Sequence, residues 1–146
     1  WVAAGHFDAS QARRLSTFLE QLGREALFRV VLIHHPPTIE DWGYRKGLWG
    51  GERFRKVVAE AGAELVLHGH THRSTRRSIP GPNGAIPVIG VAAAGTAITD
   101  DNHGDPARYT LFEIAGEAGD WHITLREYGY ERGGHEVAKL LELPIA

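Results

Sequence analysis

Apolar side chains at positions 12, 15, 18, 19 and 22 repeat with the spacing of one helical face and predict an amphipathic helix over residues 10–22. Asp8 or Ser10 stands where a cap belongs, and Gly23 where the helix can end. Residues 28–33, Phe-Arg-Val-Val-Leu-Ile, are a β-branched apolar run halted by His34-His35-Pro36-Pro37. They predict a buried strand that stops at a proline-stiffened turn. Residues 38–51 mix glycine with Trp42, Tyr44 and Trp49 and read as a surface loop, of the long aromatic kind that is often functional. Helical spacing returns with Phe54, Val57, Val58 and Ala61, and Gly62 is its terminator. Leu65-Val66-Leu67 then forms a second short strand, running into His68-Gly69-His70-Thr71-His72-Arg73. Strands joined by helices are usually parallel, which puts their carboxyl ends at one edge, where ligands bind. The two histidine-bearing strand ends are therefore expected to meet.

The texture changes after residue 73. Residues 78–84, Ser-Ile-Pro-Gly-Pro-Asn-Gly, predict a turn, and residues 86–94 a strand of small apolar side chains. Residues 109–114 and 121–128 alternate with period two, as half-buried antiparallel strands do, and residues 116–120 connect them as a hairpin. The first half is α/β and the second rich in strands, an α/β (α+β) chain with no repeat and no linker that would divide it.

Composition narrows the class. At 146 residues the chain has the length of about one domain. With 42% hydrophobic and 23% charged residues it is not disordered, collagenous or a disulfide scaffold. No apolar run approaches the roughly 20 residues of a membrane span, so none is expected, and the expected location is cytoplasmic. Sixteen basic against eighteen acidic side chains leave a net charge of −2, too little field to recruit nucleic acid. Cysteine is absent, so any metal site must use His, Asp, Glu or Asn. Methionine is absent too, and the chain begins at Trp1, which is expected of a processed form or an excised piece. A targeting segment would then lie upstream.

Histidine is the outlier, at nine residues, of which His34, His35, His68, His70 and His72 fall in two short stretches. Neutral imidazoles converging at strand ends suit a borderline divalent ion where thiolates are missing. After Gly69 the chain can turn so that His70 and His72 each address a different ion, as in a two-ion site about 3.5–4 Å across. His34 and His35 point to opposite faces if the chain there is still extended, so one of the two is expected as a ligand.

The run Val30-Val-Leu-Ile-His34-His35-Pro36-Pro37, followed by Glu64-Leu-Val-Leu-His-Gly69-His70-Thr71-His72, resembles the C-terminal half of a calcineurin-like metallophosphoesterase, in the class III cyclic-nucleotide-phosphodiesterase branch. The resemblance implies part of a four-layer αββα sandwich and hydrolysis of a phosphoester by a dinuclear metal-activated hydroxide. It implies His34 and His70 on one divalent ion and His72 on a second, the ions being Mn, Fe, Zn or Ni. His35 would lie beside the site, touching a substrate phosphate or holding the turn. Arg73 could bind phosphate as a fork donor, or be a solvated charge like Arg76 and Arg77. His68 would orient a ligand or pack in the core. Trp42, Tyr44, Arg45 and Lys46 could form a substrate lid or an ordinary surface loop. His103 reads as a solvated loop residue, and His6, His122 and His135 have no companions.

The family's Asp-x-His, Gly-Asp and Gly-Asn-His signatures do not occur in residues 1–27. Residues 1–146 are thus expected to be the C-terminal portion of one metallophosphoesterase domain, with the N-terminal half, and the histidine that serves as acid or base, absent. Alone, such a chain is expected to be inactive. The expected partners are a small phosphoester substrate and either the missing half or a second copy. The alternative is a catalytically inactive metal-binding fragment or subunit that needs a complementary N-terminal half. A metallo-β-lactamase signature beginning at His68 fails at His72 and Arg73, and an amidohydrolase leaves His34-His35-Pro36-Pro37 without explanation.

Overall fold

In the computed structural model, the described residues are 3–38, 47–96, 105–131 and 134–146. Trp42, Tyr44, Arg45, Lys46 and His103 lie outside them.

Strand β1 (Gly5–His6) runs parallel to β3 (Leu48–Trp49) and leads into helix α1 (Ala9–Arg24). Asp8 is the cap of α1. Its Oδ1 accepts from the Gln11 N–H at 2.7 Å, while Gln11 Oε1 accepts from the Asp8 N–H at 2.8 Å, a reciprocal capping box. The Gln11 amide, with smaller help from nearby charges, holds the Asp8 carboxyl below its usual range. Contrary to expectation, α1 passes through Gly23 and ends a residue later, the chain reversing at Ala26 with φ +56°. Gly23 has a different use. A Cβ there would sit 2.8 Å from Arg29 Nη1, which reaches past it to the Leu19 carbonyl at 3.2 Å.

The first sheet contains β2 (Val30–Ile33), β4 (Leu65–His68), β5 (Thr75–Gly81) and β6 (Gly84–Gly90), in the order β2-β4-β6-β5. Helix α2 (Gly51–Ala61) lies between β3 and β4 in sequence and ends at Gly62, whose φ of +80° favours glycine. β2, β4 and β6 are mutually parallel, and β5 is antiparallel to β6. Residues 78–84, expected as a turn, are instead most of a hairpin. The chain turns only at Pro82-Asn83, because β5 is an edge strand where Pro80 costs no ladder bond on the open side.

Alternation along these strands separates two cores. Val31, Val66, Ile79, Ile86 and Val88 pack with Ala12 and Leu19 of α1 and Phe54 and Val58 of α2. Leu65 and Ile89 face the other way, onto Ile123 and Leu125 of the second sheet. That sheet is a meander of β7 (Arg108–Glu117), β8 (Asp120–Tyr130) and β9 (Val137–Pro144). β7 and β8 form the expected hairpin, while β9 was not foreseen from the sequence.

The fold is therefore mixed α/β, with helices on one face of a largely parallel sheet and an antiparallel sheet on its other face. These are three of the four layers of an αββα sandwich. Among the described residues no helix covers the outer face of the second sheet. That face carries exposed Tyr109 and Leu111 and an ionic row in which Arg126 bridges Glu113 at 2.5 Å and Glu142 at 2.8 Å. The strand expected to be buried, β2, is covered on one face only, since Val30 is 42% and Leu32 75% exposed. β2 is the edge of its sheet, and the second sheet does not extend over it. No helix among the described residues is long and apolar enough to cross a membrane.

Candidate metal centre

β2 and β4 pair in parallel with Ile33 opposite His68, so His34 and Gly69 leave the sheet side by side. The Gly69 N–H donates to the His34 carbonyl at 3.1 Å and extends the pairing one step beyond the strands. The loop then tightens, the Thr71 N–H donating to the Gly69 carbonyl at 2.8 Å. His70 and His72 both adopt left-handed backbone, with φ of +67° and +55°. Non-glycine residues held in this region cost of order 1–3 kcal/mol each and persist only where their surroundings over-determine them.

The second sheet and the residues leading into it restrain the His72 end of the loop. The Asp105 N–H donates to the His72 carbonyl at 2.9 Å, and Asp105 Oδ2 accepts from the Ser74 N–H at 2.6 Å. The Ser74 hydroxyl donates to Glu127, a buried carboxylate of β8 that also accepts from Arg108 Nη1 at 2.8 Å. The histidine loop is thus tied to β7 and β8 by a charge-assisted network.

His34, His35 and His70 converge. Each offers one ring nitrogen, and the three nitrogens lie within 4.8 Å of one another. His34 Nε2 and His70 Nδ1 are 3.2 Å apart, and the His35 and His70 ring centroids 4.2 Å apart. His35 Nε2 is 2.9 Å from the Ala3 carbonyl oxygen. The ring rests on bare backbone, since a Cβ at Gly5 would fall 2.5 Å from its Nδ1. Both rings of the His34-His35 pair reach one group because the chain bends directly after Ile33, and the face alternation of an extended strand lapses there. The proline pair that follows was the sequence signal for that bend.

His72 and Arg73 are exposed and lie outside this group. His68 is 2% exposed, with its Nδ1 donating to the Gly69 carbonyl at 3.1 Å. It packs over Gly90, where a Cβ would come within 2.7 Å of its Cε1. His6, His122 and His135 are exposed, with His122 Nε2 3.6 Å from Asp120. No carboxylate belongs to the three-histidine group among the described residues.

Three imidazoles fit a borderline divalent ion of the Zn, Ni or Fe type, and a neutral donor set leaves that ion's full charge to act on a ligand. A cleft of about 680 Å³ opens beside the proline turn, lined by Pro36, Pro37, Thr38 and the first turns of α2. Arg53 and Arg55 border it while donating to the Phe7 and Pro37 carbonyls, both at 2.8 Å.

No protein-family model and no curated protein matches the sequence. Among solved structures, the chain is similar to a double mutant of Vps29 from Entamoeba histolytica, with a TM-score of 0.44 and 13% sequence identity over 97% of each chain.

Proposed function

We propose that the chain holds metal for a metal-dependent phosphoester hydrolase, with His34 and His70 on one divalent ion, His72 on a second, and a small phosphoester as substrate. The observation that carries this reading is the meeting of His34 and His70, 36 residues apart in sequence, at 3.2 Å on the carboxyl edge of two parallel strands. Divalent ions bound there would polarise a phosphoryl oxygen and make a water acidic enough to attack phosphorus. The histidines themselves serve as neutral donors and not as bases. Arg73, on the same loop, is positioned in sequence to pair with a phosphate oxygen through its planar fork. A hollow of about 370 Å³ lined by Ile33, His34, His68 and Gly69 gives room beside the proposed ion for part of a small substrate.

A second reading is a metal-holding subunit that turns over nothing until a complementary N-terminal half supplies a bridging carboxylate and an acid. The all-imidazole composition of the group favours it. Assay of a chromogenic phosphodiester with the pure chain and added Mn²⁺ or Zn²⁺ tests the half-site on which both readings rest. Metal binding without turnover fits it, and turnover by the chain alone would show that the site is misplaced. In the complete enzyme, His70→Ala is expected to lower metal content and turnover together. Unchanged turnover at saturating metal contradicts the assignment.

A further inference from the structure

We infer that His35, which the motif resemblance leaves outside the ligand set, completes a three-imidazole site for a single divalent cation with His34 and His70. The inference rests on the proposal that His34 and His70 bind metal, and adds the third donor to that ion.

The chemistry of the His35 ring carries it. A carbonyl oxygen only accepts, so the 2.9 Å contact with Ala3 makes Nε2 the protonated nitrogen. A neutral ring protonated at Nε2 keeps its lone pair on Nδ1. This is the arrangement of ligating histidines generally, in which one nitrogen donates to a carbonyl and the other is left for the metal. The ring cannot swing away freely, because it is seated against the backbone of Gly5 and beside the His70 ring. Ala3 and Gly5 belong to the segment that pairs through β1 with β3, so the N-terminal end of the described chain fixes the third donor. His34 Nε2 and His70 Nδ1 already face each other at hydrogen-bond distance, and a cation between them replaces one shared proton with two lone-pair contacts. His72 is exposed and outside the group, so this ion does not need it.

The experiment is titration of the chain with Co²⁺, following the visible absorption of the bound ion and its stoichiometry, in wild type and in His35→Gln, Gly5→Ala and His72→Ala. Glutamine can still donate an amide N–H toward Ala3, so loss of binding without loss of folding isolates the imidazole; circular dichroism monitors the fold. Even outer-shell partners of metal ligands are worth 10–100-fold in affinity, so His35→Gln is expected to weaken binding about tenfold or more. Gly5→Ala, whose Cβ would fall 2.5 Å from His35 Nδ1 and displace the ring, is expected to weaken it in the same direction, and His72→Ala, which removes only the ligand proposed for a second ion, to leave the first ion bound at wild-type affinity. If His72→Ala abolishes binding while His35→Gln binds as wild type, His35 is not a donor and the inference fails, with metal at His34 and His70 left standing. If the wild-type chain binds no Co²⁺, both fail.

Discussion

Gly90 lies at the end of β6, directly over the His68 ring, and the fit there is set by a missing methyl group. A Cβ would lie 2.2 Å from Thr75 Oγ1 and 2.7 Å from His68 Cε1, and all three residues belong to the first sheet close to the histidine loop. Gly90→Ala is expected to destabilise the fold by about 1–3 kcal/mol through overpacking, measured as a lower urea midpoint at unchanged m-value. An unchanged midpoint would show that the sheet yields there. At this scale the sequence was partly legible. His34 and His70 could be placed because each follows a strand whose apolar run is plain. His35 joining them could not, because its place depends on contacts with Ala3 and Gly5, some 30 residues earlier.

The elements are joined at their other end, away from the histidines, by one ion pair. Arg29 precedes β2 and Glu64 precedes β4. Arg29 Nη2 meets Glu64 Oε1 at 2.7 Å, its Nε donates to Oε2 at 3.0 Å, and its backbone N–H donates to the same Oε2 at 2.6 Å. Arg29 Nη1 also closes the C-terminal turns of both helices, donating to the Leu19 and Ala61 carbonyls at 3.2 and 2.9 Å. One guanidinium thus fixes both helices and both histidine-bearing strands in register. Removing one partner of a largely buried pair strands the other, so Glu64→Ala is expected to cost about 3 kcal/mol or more, read by chemical denaturation. A loss well under 1 kcal/mol would mean that Arg29 finds water instead. Helix and hairpin periodicities gave α1, α2, β7 and β8 directly. β5 was hidden because Pro80 and Gly81 resemble turn residues, although an edge strand tolerates them. The exposure of β2 was hidden because a run of Val-Val-Leu-Ile reads the same whether one face is covered or two.

The histidine group stands at the carboxyl edge of the parallel strands, whereas an exposed ionic cluster lies on the outer face of the second sheet. There Lys139, first, and Arg126 hydrogen-bond the Glu142 carboxylate and lower it from 4.5 to about 2. A carboxylate depressed by folding contributes stability that is full above its unfolded value, near 4.5, and lost as the pH falls toward 2. Glu142→Gln is therefore expected to flatten the acid-induced loss of stability in that window and to leave any metal binding at neutral pH unchanged. An unchanged acid profile would show that the cluster is screened by solvent. The α/β class and the meeting of the two histidine-bearing strand ends were legible in the sequence because parallel connections force the geometry. The absence of a fourth layer among the described residues was not, since it depends on what packs over the outer face of the second sheet. The central claim is that the carboxyl edge of β2 and β4 binds a divalent ion through His34 and His70. Equilibrium dialysis of the wild-type chain and His70→Ala against Zn²⁺, with bound metal counted by atomic spectroscopy, tests it most directly. The account predicts zinc retained by wild type and lost on His70→Ala at unchanged circular dichroism; equal retention by both proteins, or none by wild type, contradicts it.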